Sequence, residues 1–104
     1  MCRKAHGAAF GTYAAVRRDG HAFTAGVSLV REYQSSEAVT RSFCSICGSP
    51  LMWRSAEARF ASWIFFPLGT LDTPCVATRQ RHIHVASKAP WHVICDGWPQ
   101  TKQY

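Results

Sequence analysis

A Cys-x-x-Cys-Gly sequence, Cys44 to Gly48, constrains the fold of this chain more than any other feature. The two-residue spacer lets both sulfurs converge on one metal ion at about 2.3 Å, and Gly48 accepts a positive φ. Val39–Phe43 and Leu51–Arg54 are predicted strands, so the motif should form the tip of a β-hairpin. We interpret it as half of a zinc site. The alternatives are a redox pair, which would precede a helix in a βαβ unit, and two unligated thiols.

The rest of the chain predicts a mostly β fold of short antiparallel strands. Residues 2–7 predict a helical turn that Gly7 ends, and Gly97–Tyr104 reads as a loosely held tail. With no repeat and no linker, residues 1–104 predict a single domain. The further predicted strands are Phe10–Val16, Val27–Tyr33, Ala61–Phe66 and His82–Val85.

A structural zinc needs four ligands, and the motif supplies two. The other candidate ligands are five histidines and three cysteines (Cys2, Cys75 and Cys95). On a strand, His82 and His84 would point to the same face, but one bonded histidine beside one exposed histidine is favoured over a metal pair. Cys75 and Cys95 are predicted to be packed thiols rather than ligands.

Charge and hydropathy limit the partners. The formal net charge is +6, yet the basic residues are scattered, so a solvated surface is favoured and a nucleic-acid partner is disfavoured. No apolar run approaches the roughly 20 residues of a membrane span, and no signal-type segment begins the chain. We therefore expect no membrane partner and a cytoplasmic location, where the odd number of five cysteines fits reduced thiols or metal ligands.

Three stretches in this order resemble the glutathione-dependent formaldehyde-activating enzyme family, which includes centromere protein V-like proteins. They are Cys2–Phe10, Phe43–Leu51, and Lys88–Trp91 running on to Asp96–Gln100, with His82 placed before the third. The resemblance implies a β-tent fold with two zinc sites. Cys44 and Cys47 match the Cys-x-x-Cys of the structural zinc, and Cys2 matches the last cysteine of a Cys-x-Cys-x-x-Cys that binds a second, catalytic zinc.

The chain departs from that family pattern at its start. The early Cys-x-Cys and the first two cysteines of the second motif are missing. We therefore expect an N-terminally shortened member that lacks the N-terminal strands. Their loss would expose a sheet edge on which a second copy could pair, so a homodimer is an option.

The resemblance implies a zinc-dependent carbon–sulfur lyase-like protein that acts on glutathione adducts, similar to S-hydroxymethylglutathione synthase. Its catalytic-site residue would be Cys2, its cofactor zinc and its partner a small thiol such as glutathione. A non-catalytic zinc-binding module and a metal-free truncated remnant are the alternatives, so whether the chain is an enzyme stays open. Trp91 and Trp98 would wall a pocket or pack in the core, and no residue is assigned to glutathione.

Overall fold

The structure, a computed structural model, describes residues 2–104 and contains a five-stranded antiparallel sheet. This confirms the predicted mostly β class. The chain divides into two compact units: unit 1 comprises the residues up to Gly11 together with Thr73–Tyr104, and unit 2 comprises Thr12–Asp72. The strands, all in unit 2, are β1 (Tyr13–Arg17), β2 (Val30–Gln34), β3 (Val39–Cys44), β4 (Pro50–Ser55) and β5 (Trp63–Pro67). Their order in the sheet is β1-β5-β4-β3-β2.

Strands β3 and β4 form the predicted hairpin. Arg41 pairs with Trp53 and Ser42 with Met52, and the register shifts between Ser42 and Phe43, just before the Cys-x-x-Cys turn. Both strands are rich in β-branched, aromatic or long apolar residues, which favour a pleated surface. The hairpin therefore presents its cysteine pair at the end of the sheet.

An aromatic cluster forms the centre of one face of the sheet. Trp53 and Phe65 are cross-strand partners, with ring centroids 5.0 Å apart in an edge-to-face arrangement. Phe60, in the β4–β5 connection, is 5% exposed and meets both rings edge-on at 5.6 and 5.8 Å. Because side chains alternate along a strand, Met52 and Ile64 lie on the opposite face, where both are buried.

Two predicted strands start later than expected. The strand predicted at Phe10–Val16 begins at Tyr13. In the Val27–Tyr33 prediction, the first three residues form a 3₁₀ turn after Gly26, whose φ is 74°, and the strand begins at Val30. Both strands are edges of the sheet, where only one neighbour constrains their ends.

Unit 1 opens with α1 (Cys2–His6), as predicted, and Gly7 ends it with φ 61° while its N–H donates to the Arg3 carbonyl at 3.0 Å. The strand predicted at His82–Val85 is wrong. His82 makes an isolated bridge to Gln100, and His84 adopts a left-handed φ of 58°. That conformation turns the chain out of the extended path.

The prediction of a loosely held tail is also wrong. The His82 N–H donates to the Pro99 carbonyl at 2.8 Å, and the Thr101 N–H donates back to the His82 carbonyl at 2.9 Å. The Arg81 guanidinium lies over the Tyr104 ring at 4.8 Å. The C-terminal residues are therefore part of the fold of unit 1.

Across residues 2–104, none of the helices has the length and apolar character needed to traverse a bilayer.

Candidate functional site

The hairpin tip is a tight turn built by backbone hydrogen bonds. The Gly48 N–H donates to the Cys44 carbonyl at 2.8 Å, and the Cys44 N–H donates to the Ser49 carbonyl at 2.9 Å. Gly48 has a φ of 75°, a conformation that residues with a Cβ rarely adopt. The turn is further fixed by the Ser45 N–H, which donates to the Leu29 carbonyl at 2.8 Å. The two cysteines are thus held at the two ends of one turn.

The local electrostatics favour a thiolate at Cys47. Its Sγ lies 3.1 Å from Ser49 Oγ, and its side chain is exposed while that of Cys44 is half-buried. Hydrogen bonds from the Ser49 hydroxyl, then from the Ser49 backbone N–H and the Cys44 side chain, lower the pKa of Cys47. A thiolate is the form in which cysteine binds metals.

The donor pair fits zinc as half of a tetrahedral set. Both thiols are free, and the Cys44 side chain is among the groups that lower the pKa of Cys47. Within residues 2–104, no group of three or more His, Cys, Asp or Glu side chains is gathered in a way that could hold a metal. Cys44 and Cys47 therefore lie in one turn, and among the described residues no third such side chain is gathered with them.

The other predicted cysteines have different environments. Cys2 is the first residue of α1, and its side chain lies outside the described part of the structure. Cys75 and Cys95 are exposed, so their prediction as packed thiols is wrong. Both lie in segments without helix or strand, where apolar neighbours in sequence do not form a buried element.

Sequence reasoning missed a hydrogen-bonded His–Asp couple in unit 1. His82 Nε2 lies 2.8 and 2.9 Å from the two carboxylate oxygens of Asp96. The Trp98 N–H donates to the same carboxylate at 3.0 Å. His84 is exposed, which agrees with one bonded and one exposed histidine. The Asp-Gly-Trp sequence is typical of a turn in which the aspartate carboxylate accepts a hydrogen bond from the backbone N–H two residues later. This turn pattern was the sequence signal that could have indicated the position of Asp96.

The couple lines an open cleft of about 430 Å³ in unit 1. The His92 ring lies against Phe10 on its wall, with ring centroids 5.1 Å apart. Trp91 and Trp98 are 70% and 43% exposed, and neither residue lines this cleft. They therefore do not form the wall of this pocket that the sequence had suggested. The lining residues are Phe10, His82, His92, Val93, Ile94, Cys95 and Asp96.

The couple predicts an acid-sensitive contribution to stability. The Trp98 N–H and then His82 hold the pKa of Asp96 below its usual value of 3.8. A lowered pKa in the folded state means that this contribution is fully present above pH 3.8 and is lost as the pH falls through the lower folded value. Thermal melts from pH 7 to pH 2 should show a higher melting temperature for wild type than for Asp96→Asn, and this difference should shrink only in this acidic range. A difference in melting temperature that stays constant down to pH 2 would contradict the assignment.

Comparison with known proteins supports the family resemblance. A family model described as glutathione-dependent formaldehyde-activating enzyme matches residues 1–87. No curated protein and no solved structure matches the chain. The matched range includes Cys2 and the Cys44–Cys47 turn, whereas Lys88–Trp91 and Asp96–Gln100 lie beyond it.

Most of the chain, including its cysteine hairpin, is thus covered by one family description. The chain belongs to the glutathione-dependent formaldehyde-activating enzyme family.

Proposed function

We propose that this protein is a zinc-dependent carbon–sulfur lyase-like enzyme that joins glutathione to formaldehyde. The family match supports the substrates, and the paired thiols of the hairpin turn support the metal. The turn is the single structural observation that carries the proposal, because a fixed Cys-x-x-Cys-Gly tip is the usual form of a zinc knuckle.

The reaction is an addition that needs no oxidant or reductant. The glutathione thiol loses its proton, its sulfur bonds to the carbon of formaldehyde, and the carbonyl electron pair moves to oxygen, which takes up a proton. The product is S-hydroxymethylglutathione. Zinc, when bound, supplies a Lewis acid that favours the thiolate form of a thiol.

The residues of the chain take two roles in this proposal. Cys44 and Cys47 hold a structural zinc and lock the hairpin tip, since their turn is already shaped by the Gly48 and Ser49 backbone bonds. Cys2, at the start of α1, would supply one ligand to a second zinc, whose Lewis acidity would favour the thiolate form of glutathione.

The proposal is tested by following formaldehyde consumption in the presence of glutathione with the zinc-loaded full chain. We expect Cys2→Ser to lower the rate by about tenfold or more, because a serine hydroxyl holds zinc much less tightly than a thiolate and the reactive site would lose its metal. Cys75→Ser, in the same unit, is the matched control and should keep the wild-type rate. Undiminished activity in Cys2→Ser would remove Cys2 from the reaction.

Metal content separates this function from its alternatives. About two zinc ions per chain are expected for the enzyme, because a structural and a reactive site each hold one. One zinc with no adduct formation would instead indicate a non-catalytic zinc-binding module. A chain that binds no zinc would be a metal-free remnant, and the proposal would fail.

A further inference from the structure

The positive charge of the chain is concentrated by the fold. Units 1 and 2 each carry six Lys or Arg residues, but unit 1 has one acidic residue, Asp96, and unit 2 has five. The formal net charge is therefore +5 for unit 1 and +1 for unit 2. Because acidic residues are nearly missing from unit 1, its surface attracts anions. The six basic residues of unit 1 are Arg3, Lys4, Arg79, Arg81, Lys88 and Lys102.

The cleft of unit 1 combines apolar and polar walls. Phe10, Val93 and Ile94 are its apolar lining residues, and His82, His92 and Asp96 are its polar ones. Its volume of about 430 Å³ lies in the range of small-molecule sites. Val93 is 71% exposed and Phe10 is 55% exposed, so much of this apolar surface is open to a ligand.

A cation lies at the margin of this cleft. Lys88 Nζ donates to the carbonyl of His92, a lining residue, at 2.8 Å. The acidic residue of the lining, Asp96, is already engaged by His82 and by the Trp98 N–H. The carboxylate is therefore already hydrogen-bonded, while the ammonium makes its one described bond to a neutral carbonyl.

We propose that this cleft, with Lys88 at its margin, binds the carboxylate-bearing peptide part of a glutathione adduct. This inference rests on the proposed function, because glutathione enters through it. The tripeptide carries two carboxylates and one ammonium, so it is a small anion that suits a cationic margin. Residues 92–96 lie beyond the matched family range, so the assignment is drawn from the cleft itself.

The first test compares two exposed valines of the same unit. Val93 lines the cleft, whereas Val76 is 89% exposed and lies outside the lining. Binding of S-methylglutathione, an unreactive thioether, is measured by calorimetry with the zinc-loaded full chain. We expect Val93→Glu to weaken binding by about tenfold or more, because it places a carboxylate against an anionic ligand, and Val76→Glu to change it by less than about twofold.

The second test compares two lysines of that unit. Lys88→Gln should weaken binding by about fivefold or more, and Lys102→Gln, which removes the same charge from the same unit, by less than about twofold. Equal losses in the two variants would show a diffuse charge effect and overturn the cleft assignment. So would wild-type protein that fails to bind S-methylglutathione, or that binds single-stranded oligonucleotide in its place.

The two proposals fail in different ways. Adduct formation with an unchanged KM for glutathione in Val93→Glu would overturn the cleft and leave the proposed reaction standing. Binding of S-methylglutathione that Val93→Glu abolishes, in a protein that never consumes formaldehyde, would support the cleft and overturn the reaction.

Discussion

Replacing Cys47 with serine is expected to weaken zinc binding on the order of 100-fold or more. Structural zinc sites in small domains bind with about 10–16 kcal/mol, shared among four ligands, so a lost thiolate removes a large part of it. Cys47 is exposed at a turn held by backbone hydrogen bonds. The apo hairpin should therefore keep its fold, and the change should be confined to the metal. A chelator competition titration measures the affinity.

The matched control is Cys95→Ser. Cys95 is likewise a free, exposed thiol, but its Sγ contacts only the Val93 carbonyl, at 3.7 Å, among the hydrogen bonds described. The zinc affinity of Cys95→Ser should equal that of the wild type. An equal loss of zinc affinity in the Cys47 and Cys95 variants would show that zinc binds the thiols of this chain non-specifically.

Phe60→Ala is expected to lower the free energy of unfolding by about 3–5 kcal/mol. Phe60 is 5% exposed, and its ring contacts Trp53 and Phe65 edge-on at centroid distances of 5.6 and 5.8 Å. Truncation removes the buried ring and leaves a cavity between the two partners, which lie on strands that cannot easily close it. Urea unfolding followed by circular dichroism measures the change.

Tyr33→Ala is the control for that experiment. Tyr33 is an aromatic residue of edge strand β2 and is 57% exposed, so its loss should change stability by no more than about 0.5 kcal/mol. If Phe60→Ala lowered the free energy of unfolding as little as Tyr33→Ala, the aromatic cluster would not be a core of unit 2.

The hairpin and its cysteines were predictable because their signals are local. Two short strand-like segments, a Cys-x-x-Cys spacing and a glycine are all contained within residues 39–54, and β3 and β4 confirm the two strands. The strand predicted at Ala61–Phe66 is found at Trp63–Pro67, displaced at both ends because its pairing with distant β1 sets its limits.

The cleft was not predictable for the same reason. It requires Phe10 to lie against His92 and His82 to reach Asp96, and neither contact leaves a periodic pattern in the sequence. The C-terminal residues look polar and loop-like, yet Thr101 is fixed by hydrogen bonds with His82 and Val85. The net positive charge of unit 1 was not predictable from the sequence either. A search for runs of basic residues does not detect a charge that arises because acidic residues are rare.

Whether the hairpin tip holds the metal is decided by the coordination of zinc in this chain, measured by X-ray absorption at the zinc edge. We expect zinc–sulfur distances of about 2.3 Å, with the sulfur signal reduced in the Cys44→Ser/Cys47→Ser double variant and retained in Cys75→Ser/Cys95→Ser. An unchanged spectrum in the Cys44/Cys47 variant, or zinc surrounded only by nitrogen and oxygen in the wild type, would show that the hairpin tip does not bind zinc.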